Sequence, residues 1–191
     1  MSIVVLQKSD SPDAPVLHVV PWPGQQGSLW HRDSSLVGRV PPRLMFWHAE
    51  VDRLGDLPRA GSCPLFHARL IAAIWGEDLG ECERIPAVIA DAPEPSRQRT
   101  DYAAVHVLPV LPRAVVDETR SDVDEFLPGS PVWSAIRTLR LHEERLPAIP
   151  AFRIAPFRSA VFLQGTAVAR VREGRFDGVR LVPLEEFQAD G

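Results

Sequence analysis

The chain has 191 residues and a formal net charge of −4, with 45% hydrophobic and 24% charged residues. Those are the proportions of a globular protein rather than a disordered one, and a fold of this size buries roughly 70% of its unfolded surface with no need of a disulfide or a metal. The mild acidity removes the basic excess of a nucleic-acid binder, and no apolar run approaches the roughly 18 residues of a membrane helix.

Proline sets the scale of the elements. The 19 prolines fall largely in near pairs (Pro21/Pro23, Pro41/Pro42, Pro93/Pro95, Pro109/Pro112, Pro128/Pro131, Pro147/Pro150). Each removes a backbone donor and restricts the residue before it, so long helices are excluded almost everywhere. Ile3–Leu6 and Val16–Val20 read as short strands separated by the Ser9–Pro15 turn cluster, with Pro21-Trp22-Pro23-Gly24 closing the second. From Gln25 to Pro42 the pattern is that of a loop with a strand at Leu36–Val40. Within Arg43–Glu50, Leu44, Phe46 and His48 share one face of a strand.

The strongest helix signal spans Cys63–Trp75. Ser62 is placed as N-cap, Pro64 falls in the first turn, and Phe66, Leu70, Ile71, Ile74 and Trp75 form one apolar stripe, with Gly76 or Gly80 as the stop. Ile85–Ala90 reads as a strand with Pro86 near its start, Asp91–Arg99 as a surface loop, and Tyr102–Leu108 and Val110–Val116 as extended chain. Leu127–Pro131 is a turn, and Ala135–Leu141 alternates as a strand.

The end of the chain carries the densest signals. Phe152, Ile154 and Ala160–Leu163 are extended, Thr166–Glu173 is a short helix stopped by Gly174, and Val179–Pro183 is a further strand. The expected fold class is α+β: a mixed, partly antiparallel sheet with two main helices. The domain has a β-rich N-terminal extension or subdomain over residues 1–60 and an α/β body over 61–191.

No catalytic signature accompanies these elements. There is no phosphate-cradling glycine loop, nucleophile elbow or dinucleotide fingerprint, and His142-Glu143-Glu144 lacks the second histidine of a helical zinc motif. Cys63 and His67, at i,i+4 on the expected helix, form half of a zinc site that Cys82 with His48 or His106 would have to complete. Buried thiols and a satisfied histidine are the simpler reading. With two cysteines and no cationic leader before Met1–Leu6, a reducing cytoplasm is the expected compartment.

Two constellations remain. Asp117, Glu118, Asp122, Asp124 and Glu125 concentrate carboxylates in one short segment without the glycine of a calcium loop, which leaves a solvated turn or a partner-facing patch. An enzyme or small-ligand site would instead draw His106, His142, Glu143 and Asp117 together through the fold. The nine arginines from Arg137 to Arg180, Arg153 among them, read as solvated side chains, and the five tryptophans as packing.

In order along the chain stand Cys63-Pro64-Leu65 opening a helix, Ile85-Pro86 starting a strand, Tyr102 to Val107, and Val115-Val116-Asp117-Glu118 followed by Ser121. This order resembles a bacterial family of immunity proteins linked to polymorphic toxins, the eleventh of the immunity series, which overlaps a domain long catalogued as of unknown function. The close of the chain is most similar: Phe152-Arg153-Ile154, Val161–Leu163, the helix after it, then Gly178-Val179-Arg180-Leu181-Val182-Pro183-Leu184. The likeness runs from Cys63 to Phe187, and the proline- and arginine-rich wording looks like a myxobacterial member. The chain departs from the pattern at Leu163-Gln164-Gly165, where a more polar helix start is usual, and residues 1–60 lie outside it. The resemblance implies a cytoplasmic, non-enzymatic protein, without cofactor, that occludes a cognate protein toxin. The acidic segment is then the expected partner-binding element, since acidic surfaces speed encounter with basic partners.

Overall fold

The computed structural model describes residues 2–9, 16–23, 27–48, 50–76 and 81–190. In chain order the elements are β1 (Ile3–Lys8), β2 (His18–Val19), β3 (Leu44–His48), β4 (Leu65–His67), α1 (Ala68–Trp75), β5 (Cys82–Asp91), β6 (Gln98–Val107) and β7 (Val110–Leu111). They continue as β8 (Asp122–Glu125), β9 (Trp133–Thr138), β10 (Ala151–Ile154), β11 (Phe157–Gln164), α2 (Thr166–Gly174), β12 (Val179–Pro183) and β13 (Ala189–Asp190). The fold is α+β with two α-helices among the described residues, as expected, but the strands form three sheets. Their orders are β12-β1-β11-β10-β7, β2-β3-β5-β6-β4 and β13-β9-β8. Among the strands of the described residues only β3/β5 and β7/β10 pair in parallel, with one isolated parallel bridge at Val16–Arg59.

The first strand is central, not peripheral: β1 lies between β11 and β12 and pairs antiparallel with both. Period-two alternation distributes its side chains. Val4 and Leu6 enter a middle core with the apolar faces of α1 and α2, whereas Ile3 and Val5 enter another with Trp133 and Ile136 of β9. β6 divides in the same way, sending Val105 and Val107 to the middle core and Tyr102 and Ala104 to a third, shared with Leu44, Phe46 and Ile89. Both five-stranded sheets are therefore covered on both faces. β3 reaches only to Ala87 on β5, so Pro86 owes it no hydrogen bond.

Three local expectations are corrected. α1 begins at Ala68, with His67 as N-cap, not at Cys63 with Ser62. Residues 65–67 instead pair with Tyr102–Ala104 of β6, a tertiary gain that overrides the cap-like Ser-Cys-Pro start. Cys63 and His67 thus do not share a helix face. Leu36–Val40 forms no strand: Leu36 is fully buried, its N–H donates to the Glu83 carboxylate, and a turn follows. Of the helix stops, Gly76 is used, with φ +67°, a region that strains any residue with a side chain. Gly80 and most of the Ser9–Pro15 cluster lie outside the described residues.

Candidate partner-binding surface

The five carboxylates are spread over a turn and an edge strand. Asp117 follows the isolated bridge Val116–Leu141, and its Oδ1 accepts from the Thr119 hydroxyl (2.6 Å) and backbone N–H (3.2 Å). Those bonds, the hydroxyl foremost, hold its carboxyl below the usual range. Asp122 and Asp124 lie on β8, the edge of the three-stranded sheet, and share Arg137 of β9. Arg113 reaches Glu118 (2.6 Å) and Glu125 (3.0 Å) and lies over the Trp133 ring. Glu125 also accepts from the Gly129 N–H at 2.7 Å, which lowers its pKa and ties the strand to the turn.

Arg113, Arg120 and Arg137 therefore meet the acidic segment with three guanidinium groups. Exposed pairs of this kind contribute little to stability, about 0–1 kcal/mol each. Their effect here is to reduce the field that the acidic segment projects.

Beside the carboxylates stands a feature that charge counting passes over. The β8–β9 turn presents Phe126 (68% exposed), Leu127 (62%) and Val132 (45%) to solvent. It is nonetheless ordered by local bonds: Phe126 N–H to Val132 O, Ser130 N–H to Leu127 O, and the Gly129 bond to Glu125. The readable signal was an apolar Phe-Leu pair placed directly before a Pro-Gly-Ser-Pro turn, where chain normally faces water.

The rival constellation does not assemble. His106 is buried in another part of the fold, with Nδ1 3.2 Å from Glu83 Oε2 and Nε2 3.1 Å from Arg153 Nη2. Nε2 also lies 3.0 Å from Arg32 O, so both ring nitrogens are engaged within the fold. The His142 backbone N–H donates to Val115 O and its ring Nδ1 lies 3.4 Å from Glu144 Oε1, near Asp117 across the Val116–Leu141 bridge. Glu143 points instead to a surface hollow of about 390 Å³ that also holds Arg120, Arg140, Arg172 and Glu185. Among the described residues no group of three or more His, Cys, Asp or Glu side chains could hold a metal. Cys63 and Cys82 are separate buried thiols, pushed by burial to about 12 and about 11.

Two polar seams, one buried and one partly exposed, were not read from the sequence. Arg153, expected in solvent, is 2% exposed and donates to the carbonyls of Val107 (2.8 Å), Trp30 (2.9 Å) and Arg32 (2.7 Å). In the second seam Asp56 takes a two-bond grip from Arg69 (2.6 and 2.7 Å) and exchanges bonds with Asp177, while His67 Nε2 donates to Asp101 at 2.8 Å. Arg99 also grips Asp101 and holds its carboxyl at about 2. A hollow of about 660 Å³ opens where β1 and β11 diverge and is lined by Lys8, Ser159 and Arg180 among others. Lys8, lowered in pKa chiefly by burial, donates to Gly61 O.

No helix of the described residues is long and apolar enough to cross a membrane. No protein-family model and no curated protein matches the chain.

Proposed function

We propose that the chain is a bacterial immunity protein that neutralises a cognate toxin domain by binding it, without catalysis, in the cytoplasm. The reading rests on the resemblance over Cys63–Phe187. The observation that carries it is the ordered, solvent-facing apolar tip Phe126, Leu127 and Val132 beside the carboxylate row of β8. Exposed apolar groups rimmed by charge mark protein contact surfaces, and aromatic anchors contribute most of the energy at such contacts. The partner this surface fits has an apolar pocket with a basic rim. Asp117, Glu118, Asp122, Asp124 and Glu125 steer its approach, and Phe126 and Leu127 hold it.

The test uses the product of the neighbouring gene, taken as the cognate toxin, with binding followed by surface plasmon resonance and protection by co-expression. Phe126→Ser with Leu127→Ser is expected to raise the dissociation rate by about a hundredfold, the effect of losing an anchor pair. Asp122→Arg with Asp124→Arg is expected to lower the association rate by about tenfold at low salt and less at high salt. Unchanged rates in both variants, in a protein that still binds, would remove the β8–β9 surface from the contact. Failure of the unmodified chain to bind or protect would remove the immunity reading itself.

A further inference from the structure

A cleft of about 410 Å³ opens between the end of α1, the Ala148–Pro150 turn and the start of α2, and its walls include Trp75, Glu81, Ile149, Gln164, Thr166 and Arg170. α2 enters it with Gly165 as N-cap at φ +61°, so no side chain caps the helix, and no acidic residue stands in its first turn. The leading N–H groups of a helix have no intrahelical acceptor, and that end is the positive pole of the helix dipole. Arg170, exposed and one turn along, lies with Nη2 3.4 Å from Ile74 O and 3.5 Å from Thr166 Oγ1. The guanidinium is thereby held between the two helices at the cleft.

The wall also contains polar atoms that the fold leaves unmet. Trp75 is 4% exposed and Gln164 3%, and neither Trp75 Nε1 nor Gln164 Oε1 has a hydrogen-bond partner. The Gln164 amide is oriented by its nitrogen, which donates to the carbonyls of Pro147 and Ile149, so the oxygen is the end left over. Buried polar groups are paired as a rule. Here a donor and an acceptor on one cleft are both without a mate. A simple anion would suit Trp75, Arg170 and the helix start but would leave Gln164 Oε1 unmet and face the Glu81 carboxylate. A simple cation would meet Arg170 and the positive helix end.

We propose that this cleft binds a free α-amino acid. Its carboxylate meets the Trp75 indole N–H, the Thr166 hydroxyl, the Arg170 guanidinium and the start of α2. Its ammonium group lies toward Gln164 Oε1 and Glu81, and its side chain against Ile149 and Pro150. A molecule carrying both charges offers a partner to the donors and to the acceptor of this wall alike.

Isothermal titration of the full chain with each of the twenty amino acids, and with acetate and methylammonium as half-ligands, tests this. At least one amino acid is expected to bind below about 1 mM, with both half-ligands at least about tenfold weaker. Arg170→Ala and Trp75→Phe are each expected to weaken binding by about tenfold, the scale of a lost charge-assisted or buried hydrogen bond. Circular dichroism reports on folding; Arg170 is exposed, so its variant decides the matter even if Trp75→Phe is unstable. No saturable binding up to about 10 mM, acetate binding as tightly as the amino acid, or unaltered affinity in a folded Arg170→Ala protein would each overturn the proposal.

Discussion

Replacing Arg153 by methionine tests how much of the fold depends on one buried cation. The guanidinium gives its Nε to Val107 O, one Nη to Trp30 O and the other to Arg32 O, with the His106 ring at 3.1 Å. Burial lowers its pKa to about 10, so it remains charged at neutral pH. Methionine restores the volume but leaves three carbonyls without their donor. Breaking such a network costs about 3–5 kcal/mol, because the stranded partners keep their desolvation penalty. With a urea slope near 2 kcal/mol per M for a chain of this size, the unfolding midpoint should fall by about 2 M. Arg153→Lys keeps the charge but not the three-way fork and should lose about half as much. Urea titrations followed by tryptophan fluorescence measure both. A fall of less than about 0.5 M for Arg153→Met would mean that water replaces the guanidinium at those carbonyls, and the assignment of Arg153 as the join between the 30–36 segment and the sheets would fail.

Gly55→Ala should cost about 1–3 kcal/mol, because a Cβ there would lie 2.8 Å from Asp177 O, and two backbone segments would have to part; a melting temperature within a degree of the parent would contradict that. Neither thiol should react with a disulfide reagent at about pH 8 in the native protein, where pKa values near 12 and 11 leave no more than about one thiolate in a thousand. Both should titrate after unfolding, and rapid native labelling of either would show it to be exposed. Asp101, held at about 2 mainly by Arg99, lies below its unfolded value. Its contribution is thus complete above about pH 4 and disappears as the pH falls through about 2; with the carboxyl 41% exposed it is worth about 1 kcal/mol after screening. Asp101→Asn should remove that step from an acid-denaturation series while lowering stability at neutral pH by a similar amount, and an unchanged acid limb would refute the assignment.

The strands were legible where one face or both met apolar neighbours. Leu44 and Phe46, Ile85–Ala90 and Val179–Pro183 all reported themselves through alternation or β-branched runs, and Gly76 and Gly174 marked the helix ends. The start of α1 was misread because Ser62 and Pro64 imitate a helix entry, whereas pairing of Leu65–His67 with β6 is a contact between residues far apart in sequence. Arg153 was misread for a related reason. Alternation sends Phe152 and Ile154 to one face and Arg153 to the other, which would be wet on a one-sided sheet. This sheet is covered on both sides, a fact carried by topology and by no local pattern. The acidic segment was found as composition, but two of its three arginine partners, Arg113 and Arg137, lie outside the segment.

The two polar seams have one consequence for where function can reside. The first joins Trp30 and Arg32 to β6 and β10; the second joins Asp56 to α1 and to the turn before β12. Buried polar networks tolerate substitution poorly, since a partly satisfied network costs more than an apolar one. Segments from the first sixty residues are therefore fixed to the close of the chain, through the buried Arg153 guanidinium and through the buried Asp56 carboxylate with its half-exposed partner Arg69. The turn from Phe126 to Val132 is tied to neither seam: its apolar side chains face water, and its recorded order comes from bonds within residues 125–132. Such a loop can alter its side chains without disturbing the three cores. Under the proposed function, this separation of rigid body from free tip favours Phe126 and Leu127 over the partly neutralised carboxylates as the principal determinant of partner binding.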